Sequence, residues 1–178
     1  MSRRRLSRVM ILGACLATIG CDRVTKQAAA TMLADSPDQS YLADTVRLTY
    51  AENVGGFLSV GAGLPVERRM LIFTVATGLL LMGVTLTAIR GRWEGTRLLG
   101  AALIVSGGAS NWIDRVATGS VIDFLNVGIG PLRTGIFNVA DVAIMVGAGL
   151  VVLAVGGERG CGGSGFTAEQ RGSGDEHG

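Results

Sequence analysis

Residues 70–89 read MLIFTVATGLLLMGVTLTAI, twenty positions without a charge, closed by Arg69 on one side and Arg90 on the other. A helix rises 1.5 Å per residue, so about twenty apolar residues match the ~30 Å hydrocarbon core of a bilayer. This block is read as a membrane span, and it sets the reading of its neighbours. Upstream, Val9 to Cys21 are thirteen uncharged residues ending at Asp22; downstream, Leu98 to Ile113 are sixteen between Arg97 and Asp114, and Val142 to Gly157 are sixteen between Asp141 and Glu158. Apolar residues gathered in blocks between charges, instead of spread at amphipathic spacing, are suited to lipid. Thirteen is short for a span and equals a signal-peptide core, unless the first helix continues through Asp22 and Lys26 at the interface.

The whole-chain composition agrees: 178 residues, 48% hydrophobic, 17% charged and 28 glycines, with a mean hydropathy of +0.45. Soluble domains carry about 25% charged residues and about 7% glycine. The only histidine is His177, next to the C-terminus, which argues against Ser-His, Cys-His and His-ligated zinc chemistry. Cys15, Cys21 and Cys161 form no CxxC pair, so no disulfide framework or metal knuckle is expected. The net charge of +2 is small and scattered, which does not suggest nucleic acid, and the arginines serve better as topology signals. Arg3, Arg4, Arg5 and Arg8 at the start, with Arg90, Arg92 and Arg97 in the short second connection, mark the cytoplasmic side by the positive-inside rule.

The expected architecture is therefore a membrane all-α protein, a four-transmembrane-helix bundle with a small β-rich outer region and both termini cytoplasmic. Residues 1–155 form the membrane domain, and the Gly-rich residues 156–178 form a disordered cytoplasmic tail. In the first outer connection Val46, Leu48 and Tyr50 alternate with Arg47 and Thr49 as in a short strand, and Asn53-Val54-Gly55-Gly56 reads as a turn. The second outer connection, 115–135, is expected to be turn-rich because of Gly119, Gly128, Gly130 and Pro131. Ala102, Ser106 and Ser110 on the third span, with Ala143 and Gly147 on the fourth, are read as helix-contact stripes.

Four aspartates fall at the outer ends of these blocks: Asp22, Asp114, Asp123 and Asp141. Charged residues near a membrane interior are costly, about 2.5 to 3.5 kcal/mol at a helix centre and less toward the interface, so several together point to function. Each has a bland alternative. Asp141 three residues after Asn138 fits a capping box; Asp114 and Arg115 fit an interfacial ion pair; Asp22 and Lys26 fit an i,i+4 surface pair of about 0.2 to 0.5 kcal/mol. Asp123, inside Val121-Ile122-Asp123-Phe124, has no such explanation. Two carboxylates at a partly desolvated site share a proton and supply both a base for water and an acid for a carbonyl. That chemistry needs no histidine, metal or nucleotide.

The blocks Asp22-Arg23-Val24-Thr25-Lys26, Glu52-Asn53-Val54-Gly55-Gly56-Phe57, Gly107 to Arg115 (GGASNWIDR), Val121-Ile122-Asp123-Phe124 and Phe137-Asn138-Val139-Ala140-Asp141 occur in that order. Together they resemble the lipoprotein signal peptidase family, signal peptidase II, over roughly residues 9–155. The resemblance implies an aspartic endopeptidase of the bacterial inner membrane that cuts prolipoproteins before the diacylglyceryl-modified cysteine of the lipobox. It implies Asp123 and Asp141 as the catalytic dyad; Asn53, Gly55, Asn111, Asp114, Arg115 and Asn138 as residues lining the site; and Asp22 and Lys26 as supports. It further implies prolipoprotein and membrane lipid as partners and inhibition by globomycin. An active site at the outer face, no cofactor and no metal are expected from the residues themselves, and a monomer is expected. The outer-loop motif is one small residue shorter than the family commonly shows, and the tail matches nothing in the family.

Two other readings compete. Thr18-Ile19-Gly20-Cys21 or Leu12-Gly13-Ala14-Cys15 resembles a lipobox, which would make the chain a lipoprotein precursor; three further apolar blocks argue against it. A small non-enzymatic transport protein would use the aspartates as ion or proton ligands, but such sites usually lie near the bilayer midplane instead of at one face.

Overall fold

The computed structural model describes residues 3–54 and 64–161. Among these residues four long helices and one antiparallel sheet occur in the order α1 (Arg3–Met32), β1 (Gln39–Tyr41), β2 (Val46–Asn53), α2 (Val66–Arg90), α3 (Gly95–Thr118), β3 (Val121–Ile129), β4 (Leu132–Arg133) and α4 (Val139–Cys161). The sheet has the order β1-β2-β3-β4, each strand antiparallel to the next.

The short first block resolves as part of a longer helix. α1 runs without interruption through Cys21, Asp22 and Lys26, because Asp22 and Lys26 pair one turn apart at 2.7 Å and both face inward. α2 begins after Pro65, has Glu67 in its first turn and Arg90 in its last, the polarity that complements a helix dipole. The turn into α3 is short, so α2 and α3 lie as antiparallel neighbours. α3 ends at Gly119, whose φ of 81° is left-handed and whose N–H caps the Arg115 carbonyl at 3.1 Å; glycine alone takes that conformation without a Cβ penalty.

Two expectations need correction. The connection 115–135 is mostly strand, not turn: β3 pairs with β2 through Val121↔Asn53 and Asp123↔Ala51, so Asp123 is held on a hydrogen-bonded ladder. α4 also continues to Cys161, past the boundary expected at 155. Residues 162–178 of the expected tail lie outside the described residues, as do Gly55, Gly56 and Phe57 of the outer-loop motif.

The molecule is polar inside and apolar outside. Asp22, Lys26, Ser106, Ser110, Asn111, Asp114, Asp123 and Asn138 are buried, whereas Leu12, Leu16, Leu71, Leu79, Leu80, Met145, Val152 and Leu153 are exposed. In water such contiguous apolar faces would be a liability; in lipid they match their solvent. Among the described residues two helices, Val66–Arg90 and Val139–Gly156, are by themselves long and apolar enough to cross a membrane.

Backbones approach closely where α3 meets α4. A Cβ added at Gly147 would sit 2.6 Å from the Gly100 carbonyl oxygen, and one at Gly107 would sit 2.5 Å from that of Ala140. Glycine at these positions lets the two helices pack backbone to backbone, as membrane helix pairs commonly do. Of the expected stripe residues, Ser106 and Gly147 are buried as anticipated, while Ser110 serves as a hydrogen-bond donor. At one end of the helices Ala29 of α1 and Leu33, just past its end, pack with Phe124 of β3, joined by Leu48, Tyr50, Ile122, Leu125 and Val139. This apolar contact docks the sheet on the helices and delivers Asp123 to them.

Candidate active site

The fold brings α1, α3, α4 and two strands to one polar cluster. Asn138 lies at its centre. Its side-chain N–H groups donate to Asp123 Oδ1 at 2.7 Å and to Asn111 Oδ1 at 3.2 Å. Its backbone N–H donates to Asp141 Oδ2 at 3.1 Å, and its own Oδ1 accepts the Asp141 backbone N–H at 3.0 Å. The last two bonds are the reciprocal pair of a capping box, so the bland reading of Asp141 is geometrically correct. It is also incomplete, because Asn111 Nδ2 donates to Asp141 Oδ1 at 2.8 Å from α3.

Asp123 is 4% exposed. Besides Asn138 it accepts Asn53 Nδ2 at 3.0 Å, a contact set by strand register: Asn53 pairs with Val121, two positions from Asp123 on the same face of β3. Burial pushes the Asp123 carboxyl from its ordinary 3.8 up to about 6; the Asp141 charge adds to this, and the amides of Asn53 and Asn138 oppose it. A carboxyl raised in the native state holds its proton more tightly there than in the unfolded chain. Stability therefore falls as pH rises from about 4 to about 6 and stays lower above that, by on the order of 3 kcal/mol for a two-unit shift. The neutral, near-isosteric Asp123→Asn variant is expected to lose this dependence. Thermal melts in detergent at pH 4.5 and 7.5 check it: the variant should gain on wild type at the higher pH, and parallel melts would contradict the raised carboxyl.

Behind this shell lies an ion cluster that is more deeply buried than its sequence spacing suggests. Lys26 Nζ contacts Asp22 Oδ2, Asp114 Oδ2 and Asn111 Oδ1, each at 2.7 Å. Asp22 is fully buried and Lys26 is 3% exposed, so they are not the surface pair expected from i,i+4 spacing. Asp22 also accepts Ser110 Oγ at 2.7 Å and the Ala140 backbone N–H at 2.9 Å, tying α1 to α3 and to the first turn of α4. Asp114 pairs with Lys26 and, at 2.5 Å, with Arg23, which corrects the expected pairing with its neighbour Arg115. Arg115 is half-buried and within electrostatic range of Asp123, Asp141 and Asp114.

Every candidate site residue within the described segments thus belongs to one constellation; Gly55 lies outside them. Sequence reasoning did not assign roles to Arg23, Ser110 or the Ala140 N–H. Arg23 stands inside the Asp22 to Lys26 motif, and Ser110 inside a small-residue stripe, so both were visible as positions but not as partners.

Outward apolar helix faces around inward carboxylates and amides, with a small sheet at one end, define a mostly helical membrane protein with a polar internal site. The chain belongs to the Signal peptidase (SPase) II family, whose model, Peptidase_A8, matches residues 14–156. Membership makes it a protease, hence a hydrolase, of lipoprotein processing. Among its relatives is the lipoprotein signal peptidase of Chlorobium phaeobacteroides (strain DSM 266 / SMG 266 / 2430), 34% identical over 142 residues, covering 74% of this chain and 81% of that one. That of Streptococcus pneumoniae (strain ATCC BAA-255 / R6) is 29% identical over 87% of this chain and 95% of its own. That of Mycobacterium leprae (strain Br4923) is 33% identical over 84% and 72%. In fold the chain is similar to a bacterial membrane enzyme solved by the in meso method at 2.3 Å, with a TM-score of 0.77 at 22% identity over 89% of this chain and 94% of that one.

Proposed function

We propose that the chain is a membrane-embedded aspartic endopeptidase that removes signal peptides from diacylglyceryl-modified bacterial prolipoproteins, cutting before the lipidated cysteine. The observation that carries the chemistry is Asn138, which binds both Asp123 and Asp141 and so joins a strand carboxylate and a helix carboxylate into one site.

Two carboxylates so placed share one proton. The ionised member takes a proton from water as the water oxygen attacks the scissile carbonyl carbon, and the protonated member gives its proton to the carbonyl oxygen. Collapse of the resulting gem-diol breaks the C–N bond, transfers the first proton to the departing amine and returns the second to its carboxylate. Asn53, Asn111 and Asn138 hold the pair in place. Arg115 offers positive charge beside it, and the Asp22, Lys26 and Asp114 cluster anchors the helices that present it.

The proposed topology has four spans in the bacterial inner membrane, with both termini cytoplasmic and the dyad at the outer face. Withdrawing an acyl chain into water costs ~0.8 kcal/mol per CH₂. A site at the outer ends of helices lets the lipid tails of the substrate remain in the bilayer while the peptide reaches the carboxylates. Prolipoprotein and surrounding lipid are the partners, and a monomer contains the whole constellation. The lipoprotein-precursor reading loses its footing because Cys21 lies inside an unbroken helix whose next turn enters the polar cluster.

The test is cleavage of a diacylglyceryl-modified prolipoprotein by the purified protein in detergent, with and without globomycin. Globomycin-sensitive release of the signal peptide without any ion gradient is the expected result. A folded protein that releases none overturns the reading.

A further inference from the structure

Among the groups behind the carboxylates, one contact is directional. Lys26 Nζ donates to Asn111 Oδ1 at 2.7 Å, and Asn111 Nδ2 donates to Asp141 Oδ1 at 2.8 Å. An ammonium can only donate, so the amide oxygen must face Lys26 and the amide N–H must face Asp141. A carbonyl polarised by a cation also makes its own N–H a stronger donor. Asp141 further accepts the Asn138 backbone N–H in the first turn of α4, where the helix end favours negative charge. Asp123 meets a different environment, two neutral side-chain amides in a buried strand.

We propose that Lys26, acting through Asn111, is a positioning residue that fixes where the shared proton resides, leaving Asp141 ionised as the base toward water and Asp123 as the proton donor to the scissile carbonyl oxygen. This rests on the aspartic reading of the same two carboxylates and adds the assignment of their roles. The other charged groups around the pair do not make that choice. On α1 and α3, Arg23 and Lys26 balance Asp22 and Asp114, so the cluster supplies orientation without net charge. Arg115 of α3 lies in range of both carboxylates. Glu52 of β2 turns to Tyr50 and Ser120.

The experiment is the pH profile of kcat/KM for cleavage, in wild type and two variants. Lys26→Met combined with Asp22→Asn removes the cation together with one of its carboxylate partners, and Asp114 keeps Arg23. Asn111→Ala cuts the relay and leaves the ion cluster whole, so it decides alone if the double variant does not fold. Folding is verified by a globomycin-induced thermal shift. The expected result is a kcat lower by about tenfold with KM within about twofold, and an acid limb displaced upward by about one pH unit while the basic limb stays in place. A purely structural role would lower active protein without moving the profile, and a profile superimposable on wild type overturns the proposal. Displacement of the basic limb in place of the acid limb also overturns it, since the roles would then be reversed. Failure of the aspartic reading itself would look different: undiminished cleavage by folded Asp123→Asn and Asp141→Asn variants.

Discussion

Cleavage of a lipidated prolipoprotein is expected to fall by at least about a thousandfold when either Asp123 or Asp141 is replaced by asparagine. Each substitution preserves shape and keeps one of the two donors at its position. Asn53 and Asn138 donate to different oxygens of Asp123, and Asn111 and the Asn138 N–H to different oxygens of Asp141, so the single amide oxygen retains one of each pair while the other donor faces the new amide NH₂. What is lost in both variants, besides that contact, is the titratable proton at one end of the pair. Because the two groups act as a unit, the double variant should be scarcely worse than either single one. Rates from purified, globomycin-binding protein decide it, and near-normal cleavage by either single variant would remove that carboxylate from the reaction.

The second large effect concerns stability. Lys26→Met on its own is expected to destabilise the fold by about 3 to 5 kcal/mol, because it leaves Asp22 fully buried without its cation and deprives Asp114 of one of two. A buried ion pair adds little net stability relative to a well-packed apolar pair, but one charge left alone keeps its full desolvation cost. Asp22→Asn in the Lys26→Met background should restore much of the loss, since an amide oxygen still accepts the Ala140 N–H and an amide N–H can meet Ser110 Oγ. Thermal unfolding in detergent measures both steps. Equal loss in the single and double variants would show that the ammonium matters for its packing and not for its charge.

The helices were legible in the sequence because lipid leaves a crude signature: uncharged blocks of helix-spanning length closed by arginine or aspartate. Asp123 was legible for the opposite reason, as a carboxylate among apolar residues with no local partner. Asn138 and Asp141 declared themselves through capping-box spacing, which the structure reproduces and then extends. Other features depend on contacts between distant segments. β3 was hidden because Gly119, Gly128, Gly130 and Pro131 in and around it imitate a loop, and it becomes a strand only through its ladder with β2. Adjacency suggested that Asp114 belongs with Arg115, yet consecutive helical residues point about 100° apart. The true partners, Arg23 and Lys26, lie 91 and 88 positions away, and no local pattern encodes such distances. The burial of Asp22 and Lys26 escaped for the same reason, since i,i+4 spacing describes one helix and not what packs against it.

The division of the two carboxylates between a strand and a helix start has a bearing on how the protein is made. Asp123 arrives with a β-ladder and Asp141 with α4, the last helix among the described residues, and Asn138 can bind both only after the two have met. On the aspartic reading proposed above, a nascent chain emerging from the ribosome through β3 carries one carboxylate of the pair and no hydrolytic centre. On that reading the bond-breaking apparatus is completed only by α4, so a half-inserted copy has nothing with which to cut the proteins being threaded into the membrane beside it.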